Sequence, residues 1–280
     1  MIALVRRFTV LLMLVMVLPL AVSAAPQRIV SVNLCTDQLL MLIAKPEQIV
    51  SVSVLSTQQD SSFLFADAQQ YLINYGNAEE LLTLQPDLVV ASSYTPPSLT
   101  QLMVRLGVPV VQFEPSASVA DIRDRIRQMA EITGNQATGE QLIASMDQRL
   151  LVVQRQADAQ SPGALFYQPR GYTSGNNTLQ DDALRLAGWR NVSSEMGVEG
   201  YAPIDLEKLL MSRPDQLFTS RYGASQDSVG QRMLTHPVLR RVVGDRPMIN
   251  ISYKYWICGG PMIVDAIAAL SELHPIKAVR

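Results

Sequence analysis

Short apolar runs alternate with amphipathic segments along most of the chain. Apolar runs that are flanked by helix-like segments are typical of buried parallel strands. The predicted strands are 28–32, 49–54, 88–91, 108–113, 164–167, 216–219 and 247–251. The predicted helices between them are 36–43, 79–84, 99–106, 179–187, 206–211 and 262–273. This alternation predicts an α/β fold with parallel sheets and crossover helices.

The chain contains an internal repeat, because residues 77–94 and 205–222 align without a gap. Seven of the 18 aligned positions are identical, at an offset of 128 residues. In each copy a helix that starts after Asn77 or Asp205 is followed by Pro-Asp and a short apolar run. A duplicated helix and strand of this kind predicts two related lobes, each with its own parallel sheet.

Two further helices are predicted between the lobes, at 119–132 and 136–157. The second has apolar residues at helical spacing and, at about 1.5 Å per residue, would span roughly 33 Å. The predicted fold is therefore α/β, with two lobes that have parallel-sheet cores and are joined by a long rigid α-helix. The predicted boundaries are 25–117 for the first lobe, 118–160 for the connecting helices and 161–280 for the second lobe.

The first 24 residues have the three-part pattern of a secretory signal peptide. Arg6 and Arg7 precede an apolar run over 8–22, and small residues stand just before a cleavage point after Ala24. A membrane anchor is the alternative, but the run is shorter than the ~20 apolar residues that span a bilayer and contains Pro19. We therefore expect a chain that is exported to the periplasm and cleaved.

Composition argues against two classes of function. The 280-residue chain has 23 basic and 25 acidic residues and a formal net charge of −2, and removal of Arg6 and Arg7 with the signal peptide makes it −4. A chain with no basic excess is not expected to bind nucleic acid. Two histidines and two cysteines are too few for a histidine-rich metal site or a disulfide scaffold, so no resident metal or cofactor is predicted.

Aromatic and basic side chains follow the predicted strands, where ligands bind in open parallel sheets. Two such sheets that face each other would form a cleft for a small molecule. Tyrosine offers a large apolar face and one polar tip, which suits a bulky amphipathic ligand, although loop tyrosines can also simply cover the edges of a lobe. The predicted ligand-binding residues are Tyr75, Tyr94, Arg170, Tyr172, Tyr201, Tyr222, Lys254 and Trp256.

The sequence motifs of common enzyme classes are missing from the chain. It contains no G-x-S-x-G nucleophile elbow, Walker A loop, G-x-G-x-x-G fingerprint or H-E-x-x-H zinc motif. We therefore predict a binding protein with no catalytic residues. A secreted α/β enzyme that acts in the same cleft stays open as the alternative.

Cys35 and Cys258 each follow a predicted strand, one in each lobe. In an oxidising compartment they can form a disulfide between the lobes. Two free buried thiols, or contact of a thiol with the ligand or its metal, are the other possibilities. The sequence leaves these three states open.

Six short motifs, in this order along nearly the whole mature chain, resemble the iron-siderophore/cobalamin family of periplasmic binding proteins. They are RIVSV at 28–32, EELLTLQPDLV at 79–89, LGVPV at 106–110, YTSG at 172–175, LAGWRN at 186–191 and WICGGP at 256–261. The resemblance implies two α/β lobes joined by one long helix, the class III architecture. It also implies capture of a ferric siderophore or other metal chelate or corrinoid for an ABC importer. A sensory binding protein without transport is the alternative.

The resemblance implies roles for individual residues as well. Glu79 and Glu207 match glutamates, one on each lobe, that dock onto arginines of the membrane permease in this family. Tyr172 and Tyr201 match aromatic residues that line the cleft of its cobalamin-binding members. We therefore expect a monomer whose partners are a small-molecule ligand and an ABC transporter permease.

The chain departs from the cobalamin-binding pattern at four places. Ile73 and Ser92 stand where those members have tryptophans, and Lys254 and Cys258 stand where they have an aspartate and an arginine. Basic residues after the predicted strands favour an acidic ligand, such as a ferric siderophore with carboxylate or catecholate oxygens. These basic residues are Arg170, Arg221 and Lys254.

Overall fold

The computed structural model describes residues 25–220, 234, 239, 242 and 246–275. The predicted signal peptide with its cleavage after Ala24 lies outside the described residues, and so do Arg221 and Tyr222. Within the described part, no helix combines the length and the apolar composition that crossing a membrane requires.

The first lobe is built on a five-stranded sheet. Its strands are β1 (Ile29–Ser31), β2 (Ile49–Ser53), β3 (Leu72–Asn74), β4 (Leu88–Ser92) and β5 (Val110–Phe113). Its helices are α1 (Leu34–Ile43), α2 (Ala78–Thr83) and α3 (Pro97–Arg105). The strand order is β3–β2–β1–β4–β5, and every pairing is parallel. β4 is buried along its whole length, as expected of an interior strand in a parallel sheet.

Two helices, α4 (Val119–Thr133) and α5 (Gln136–Val153), connect the lobes. The Ser118 hydroxyl caps α4 by accepting a hydrogen bond from the Asp121 N–H at 3.1 Å. Gly134 ends α4 in the left-handed conformation, with a φ of 72°. The predicted end of α5 at residue 157 is wrong, because the backbone becomes extended after Val153; its 18 residues span about 27 Å.

The second lobe has four parallel strands in its described part. They are β6 (Gly163–Phe166), β8 (Arg190–Asn191), β10 (Gln216–Thr219) and β11 (Ile249–Asn250), in the order β11–β10–β6–β8. A separate antiparallel pair is formed by β7 (Tyr172–Ser174) and β9 (Tyr201–Pro203). The described helices are α6 (Leu179–Leu186), α7 (Val192–Glu195), α8 (Leu206–Ser212), α9 (Lys254–Ile257) and α10 (Ile263–Glu272).

The two copies of the repeat form the same local structure. α2 leads into β4 and α8 leads into β10, so the predicted helix and strand of each copy are confirmed. The aspartate of each Pro-Asp pair accepts a hydrogen bond from a neighbouring strand: Asp87 from the Arg28 N–H at 3.0 Å, and Asp215 from the Gly163 N–H at 2.8 Å. The repeated aspartate therefore fixes the start of the β1–β4 pair in one sheet and of the β6–β10 pair in the other.

One buried apolar cluster runs through both lobes and the connecting helices. Ile29 contributes from the first sheet, Met129 and Met146 from α4 and α5, and Phe166 from the second sheet. α4 and α5 pack against each other, α4 also packs on α1, and α5 packs on α10. The lobes are therefore joined by packed helices and not by a flexible linker, which confirms the predicted fold class.

Candidate ligand-binding site

A cavity of about 700 Å³ lies between the two lobes. In the first lobe it lies past the carboxyl ends of β1, β4 and β5, the place where ligands bind in open parallel sheets. Its volume is within the roughly 300–1,000 Å³ that is usual for small-molecule sites. Its walls include Asn33, Tyr94 and Phe113 from the first lobe and Thr178, Tyr201 and Trp256 from the second.

Three tyrosines reach this cavity from different elements. Tyr94 follows β4, Tyr201 begins β9 and Tyr253 follows β11. Tyr94 is 79% exposed and Tyr201 is 59% exposed, so both leave surface that a ligand can cover. The Tyr201 hydroxyl donates to Gln180 Oε1 at 2.7 Å, which orients the phenol. The site therefore combines aromatic surface with hydroxyl groups from both lobes.

The pKa of Tyr201 is raised to about 12. Burial of the hydroxyl is the largest cause, because it disfavours the phenolate; Tyr94 and Tyr253 add to the rise, and the bond with Gln180 opposes it. Since much of Tyr201 is exposed, we attribute this burial to the hydroxyl end that lies against Gln180. At neutral pH Tyr201 is a neutral phenol that donates its proton to Gln180 and whose oxygen can accept a hydrogen bond from a ligand.

A disulfide between Cys35 and Cys258 bridges the two lobes on the wall of the cavity. Cys35 is in the first turn of α1, where Asn33 Oδ1 accepts a hydrogen bond from the Cys35 N–H at 2.9 Å, and Cys258 follows α9. The two Cα atoms are 5.0 Å apart. Of the three states that the sequence leaves open for these cysteines, the structure has the disulfide.

Non-covalent contacts hold the same segment of the second lobe against the first lobe. The rings of Tyr255 and Phe63 have their centroids 5.2 Å apart, and the Lys254 ammonium lies 5.8 Å from the centroid of the Phe63 ring. Gly259 approaches Ser116 so closely that a Cβ atom on Gly259 would lie 2.6 Å from Ser116 Oγ. The lobes are thus attached along one side of the cavity.

Three of the predicted ligand residues, Tyr94, Tyr201 and Trp256, line the cavity. Trp256 is 7% exposed and packs edge-on against Phe166, with ring centroids 5.2 Å apart. Its segment is the helix α9, where the sequence predicted a loop. A tryptophan held this firmly is a fixed part of the cavity wall.

Four predicted ligand residues do not line the cavity between the lobes and therefore do not belong to the candidate site. Tyr75 follows β3, which is three strands away from β4 and Tyr94 in the sheet, or about 14 Å. The Lys254 ammonium lies over an aromatic ring. Tyr172 pairs with Pro203 in the β7–β9 ladder, at the opposite end from Tyr201. The fourth residue, Arg170, lies in the turn before β7.

Arg125 is a cavity residue that the sequence analysis missed. It lies on α4 and lines the cavity, with Nη1 donating to Gln128 Oε1 at 2.9 Å. It stands three residues after Ile122 and four before Met129, which are both fully buried. Helical periodicity therefore places Arg125 beside the apolar face of α4, and this position at the edge of the face is the signal that the sequence contains.

Glu79 and Glu207 occupy equivalent places in the two lobes, in the first turns of α2 and α8. Both side chains are exposed. A carboxylate in the first turn is favoured by the helix dipole, which accounts for a local role of each glutamate. Their role in docking to a permease stays a prediction.

A second depression, of about 790 Å³, lies on the second lobe alone. It is more open to solvent, and its arginines are paired with carboxylates: Arg185 with Asp182 at 2.7 Å and Arg190 with Glu195 at 2.5 Å. The cavity between the lobes is therefore the better candidate for a ligand site. Nowhere in the described ranges do three or more His, Cys, Asp or Glu side chains gather as a metal site requires.

Comparison with known proteins gives matches over most of the chain. A family model described as periplasmic binding protein matches residues 29–243. A cobalamin-binding protein of Halobacterium salinarum is 24% identical over 217 residues, which are 74% of this chain and 57% of that relative. The chain thus spans little more than half the length of that relative. A vitamin B12-binding protein of Photorhabdus laumondii is 22% identical over 255 residues, 89% of this chain and 88% of that relative.

Solved structures share the fold. The apo form of the periplasmic heme-binding protein RhuT from Roseiflexus sp. RS-1 has a TM-score of 0.71 and 26% sequence identity, and the match covers 88% of this chain and 97% of that one. The periplasmic heme binding protein HutB of Vibrio cholerae has a TM-score of 0.72 at 22% identity, with 89% and 99% covered. Two α/β lobes joined by helices are therefore an architecture that this chain shares with these proteins.

Proposed function

We propose that this chain, which belongs to the periplasmic binding protein family, captures a metal chelate between its lobes and delivers it to the permease of an ABC importer. The chelate is a ferric siderophore, a heme or a corrinoid. The observation that carries the proposal is the cavity of about 700 Å³ with Tyr94, Tyr201 and Trp256 on its walls. The names of the relatives support this class of ligand, since they are cobalamin-, vitamin B12- and heme-binding proteins.

The chemistry of the cavity suits a broad ligand with an apolar body and a polar rim. Aromatic faces provide large contact areas at little cost in side-chain entropy, and the tyrosine hydroxyls can bond to the ligand's peripheral oxygen or nitrogen atoms. This function contains no catalytic step. The chain acts as a monomeric carrier in the periplasm after cleavage behind Ala24.

Tyr94→Ala and Tyr201→Ala are each expected to weaken binding of the chelate about tenfold, because each removes an aromatic contact from the cavity wall. The matched control is Tyr75→Ala, which removes an exposed tyrosine that does not line the cavity. Affinity is measured by quenching of protein fluorescence with hemin, cyanocobalamin and a ferric trihydroxamate. Equal losses in all three variants would contradict the assignment of the cavity.

Charge reversal at Glu79 and Glu207 is expected to abolish uptake of the chelate and to leave its binding unchanged. The physical reason is that both carboxylates are exposed and lie outside the cavity lining, so lysine replaces attraction to permease arginines with repulsion. Uptake of a labelled chelate into cells that depend on this protein gives the first readout, and fluorescence titration of the purified variant gives the second.

The double variant Glu131→Lys, Glu272→Lys is the control, since it makes the same charge change at two other exposed glutamates. Uptake that persists with Glu79 and Glu207 reversed would refute the docking roles. A protein that binds the chelate but supports no uptake even as wild type would act as a sensory binding protein. Chemical turnover of the bound chelate would instead favour an enzyme.

A further inference from the structure

The wall of the cavity carries a positive charge that has no carboxylate partner in the described structure. Two other arginines of α4 are ion-paired: Arg123 Nη2 lies 2.7 Å from Asp147 Oδ1, and Arg127 Nε lies 2.8 Å from Glu140 Oε1. Arg125 stands between them in sequence and, alone of the three, lines the cavity. Among the described residues no carboxylate lies within ion-pair distance of the Arg125 guanidinium, although Glu114 belongs to the same wall.

The guanidinium of Arg125 is held in place by a short chain of amides. Its Nη1 donates to Gln128 Oε1 at 2.9 Å, and Gln128 Nε2 donates in turn to the Gln112 carbonyl oxygen at 3.3 Å, on β5. The second bond orients the Gln128 amide so that its oxygen faces the arginine. Arg125 is therefore positioned by neutral groups, which add no negative charge beside the guanidinium.

The hydrogen bonding of this side chain is also incomplete. Arg125 Nε is buried and has no hydrogen-bond partner among the described residues. A guanidinium has five N–H donors, and burying such donors without acceptors is unfavourable. An anionic oxygen that enters the cavity would supply the missing charge and an acceptor for the Nη groups of this guanidinium, and arginine binds carboxylates through two parallel hydrogen bonds.

We propose that Arg125 is the specificity-determining residue of the cavity and that it selects metal chelates with a free carboxylate. The inference rests on the proposed function, because it concerns the ligand of the same cavity. The sequence suggested Arg170, Arg221 and Lys254 for an acidic ligand. Arg125, on a connecting helix, takes this role in place of Arg170 and Lys254, which do not line the cavity, and Arg221 lies outside the described residues. Chelates whose rim is uncharged are held by the aromatic wall alone.

The test compares ligands that differ in their carboxylates. Hemin is compared with its dimethyl ester, which has the same ring and metal but no free carboxylate. Ferric citrate, which has carboxylates, is compared with an uncharged ferric trihydroxamate. Arg125→Gln is expected to weaken binding of the carboxylate member about 10- to 100-fold and that of the neutral member less than about threefold. Arg125→Lys restores part of the loss, since a lysine keeps the charge but not the paired hydrogen bonds.

Arg127→Gln is the matched control, because it removes a neighbouring arginine of the same helix that does not line the cavity. It is expected to leave both affinities unchanged. Equal losses for the carboxylate and neutral members in Arg125→Gln, or no loss, would overturn the role of Arg125. Wild-type protein that binds only the neutral members would also overturn it, while the proposed function stands. Binding of no chelate at all would overturn the proposed function and this inference with it.

Discussion

Replacing Cys35 and Cys258 by serine is expected to lower the free energy of unfolding by about 5 kcal/mol. The disulfide joins residues that are 223 positions apart, so it closes nearly the whole described chain into one loop. In the chain-entropy description, such a bond stabilises the protein because it restricts the unfolded chain, and the effect increases with the logarithm of the loop length. Urea unfolding of the double variant beside the wild type measures the difference.

Reductant provides the control for this prediction. Wild-type protein in reductant is expected to unfold near the urea midpoint of the double variant, since both lack the bond. The urea midpoint of the double variant should not change when reductant is added. Identical midpoints for oxidised wild type and the double variant would show that the bridge adds no stability. Two alkylatable thiols in native, unreduced protein would show that it is not formed.

The bond also matters for the cavity, because it lies on the wall and crosses between the lobes. The contacts of Phe63 with Tyr255 and of Ser116 with Gly259 attach the same segment without covalent bonds. Opening of the cavity must therefore take place on the side away from this segment. Ligand-induced closure is expected to be small, since packed helices and a disulfide resist large hinge rotations.

The interior of each sheet could be predicted from the sequence, because interior strands of a parallel sheet are apolar runs with strong local signals. β4 and β10 belong to the repeat, and the repeated Pro-Asp has the same hydrogen-bonding role in both lobes, through Asp87 and Asp215. Because both lobes need this aspartate for the same hydrogen bond, it stands at the same position of both copies and makes the repeat recognisable in a single sequence. This explains why the fold class was predicted correctly.

Elements that depend on distant partners could not be predicted. β3 and β8 are edge strands of three and two residues, and β7 and β9 exist as a ladder only because they pair with each other across an intervening stretch of chain. The register of that ladder separates Tyr172 from Tyr201. Sequence proximity to a strand end was therefore a poor guide to which tyrosines line the cavity.

The candidate site likewise contains residues that could be predicted from the sequence and one that could not. Tyr94 and Trp256 follow strands of the two sheets, and the rule that ligands bind past strand ends was enough to suggest them. Arg125 comes from a connecting helix, to which that rule does not apply. Its signal is an arginine at the edge of an apolar helical face, and only the fold shows that this edge borders a cavity.

Asp37 is a completely buried aspartate in the first lobe, on α1. Ser53 Oγ donates to Asp37 Oδ2 at 2.5 Å, and the Ser53 N–H donates to Asp37 Oδ1 at 3.2 Å. Burial raises the pKa of Asp37 from 3.8 to about 7, because it disfavours the carboxylate, while hydrogen bonds from Ser31 and Ser53 oppose the rise. In the folded protein this side chain therefore keeps its proton at pH values where the unfolded chain has lost it.

The contribution of Asp37 to the stability of the protein is expected to decrease as the pH rises from about 4 to about 7, and Asp37→Asn should remove this contribution. An acid with a folded-state pKa above its unfolded value stabilises fully below the unfolded pKa, and this stabilisation is lost as the pH rises through the folded pKa. A change from 3.8 to about 7 corresponds to about 4 kcal/mol between pH 4 and pH 8.

Asparagine is a fair replacement because it is uncharged, like the protonated acid, and its amide oxygen can accept a hydrogen bond from Ser53, as an oxygen of Asp37 does. Urea unfolding at several pH values measures the difference in the free energy of unfolding between wild type and Asp37→Asn. Asp60→Asn, at an exposed position, is the control, and its free energy of unfolding should depend on pH as that of the wild type does. The wild type should lose stability relative to Asp37→Asn as the pH rises. Curves that stay parallel from pH 4 to pH 8 would mean that Asp37 does not hold its proton in the folded state.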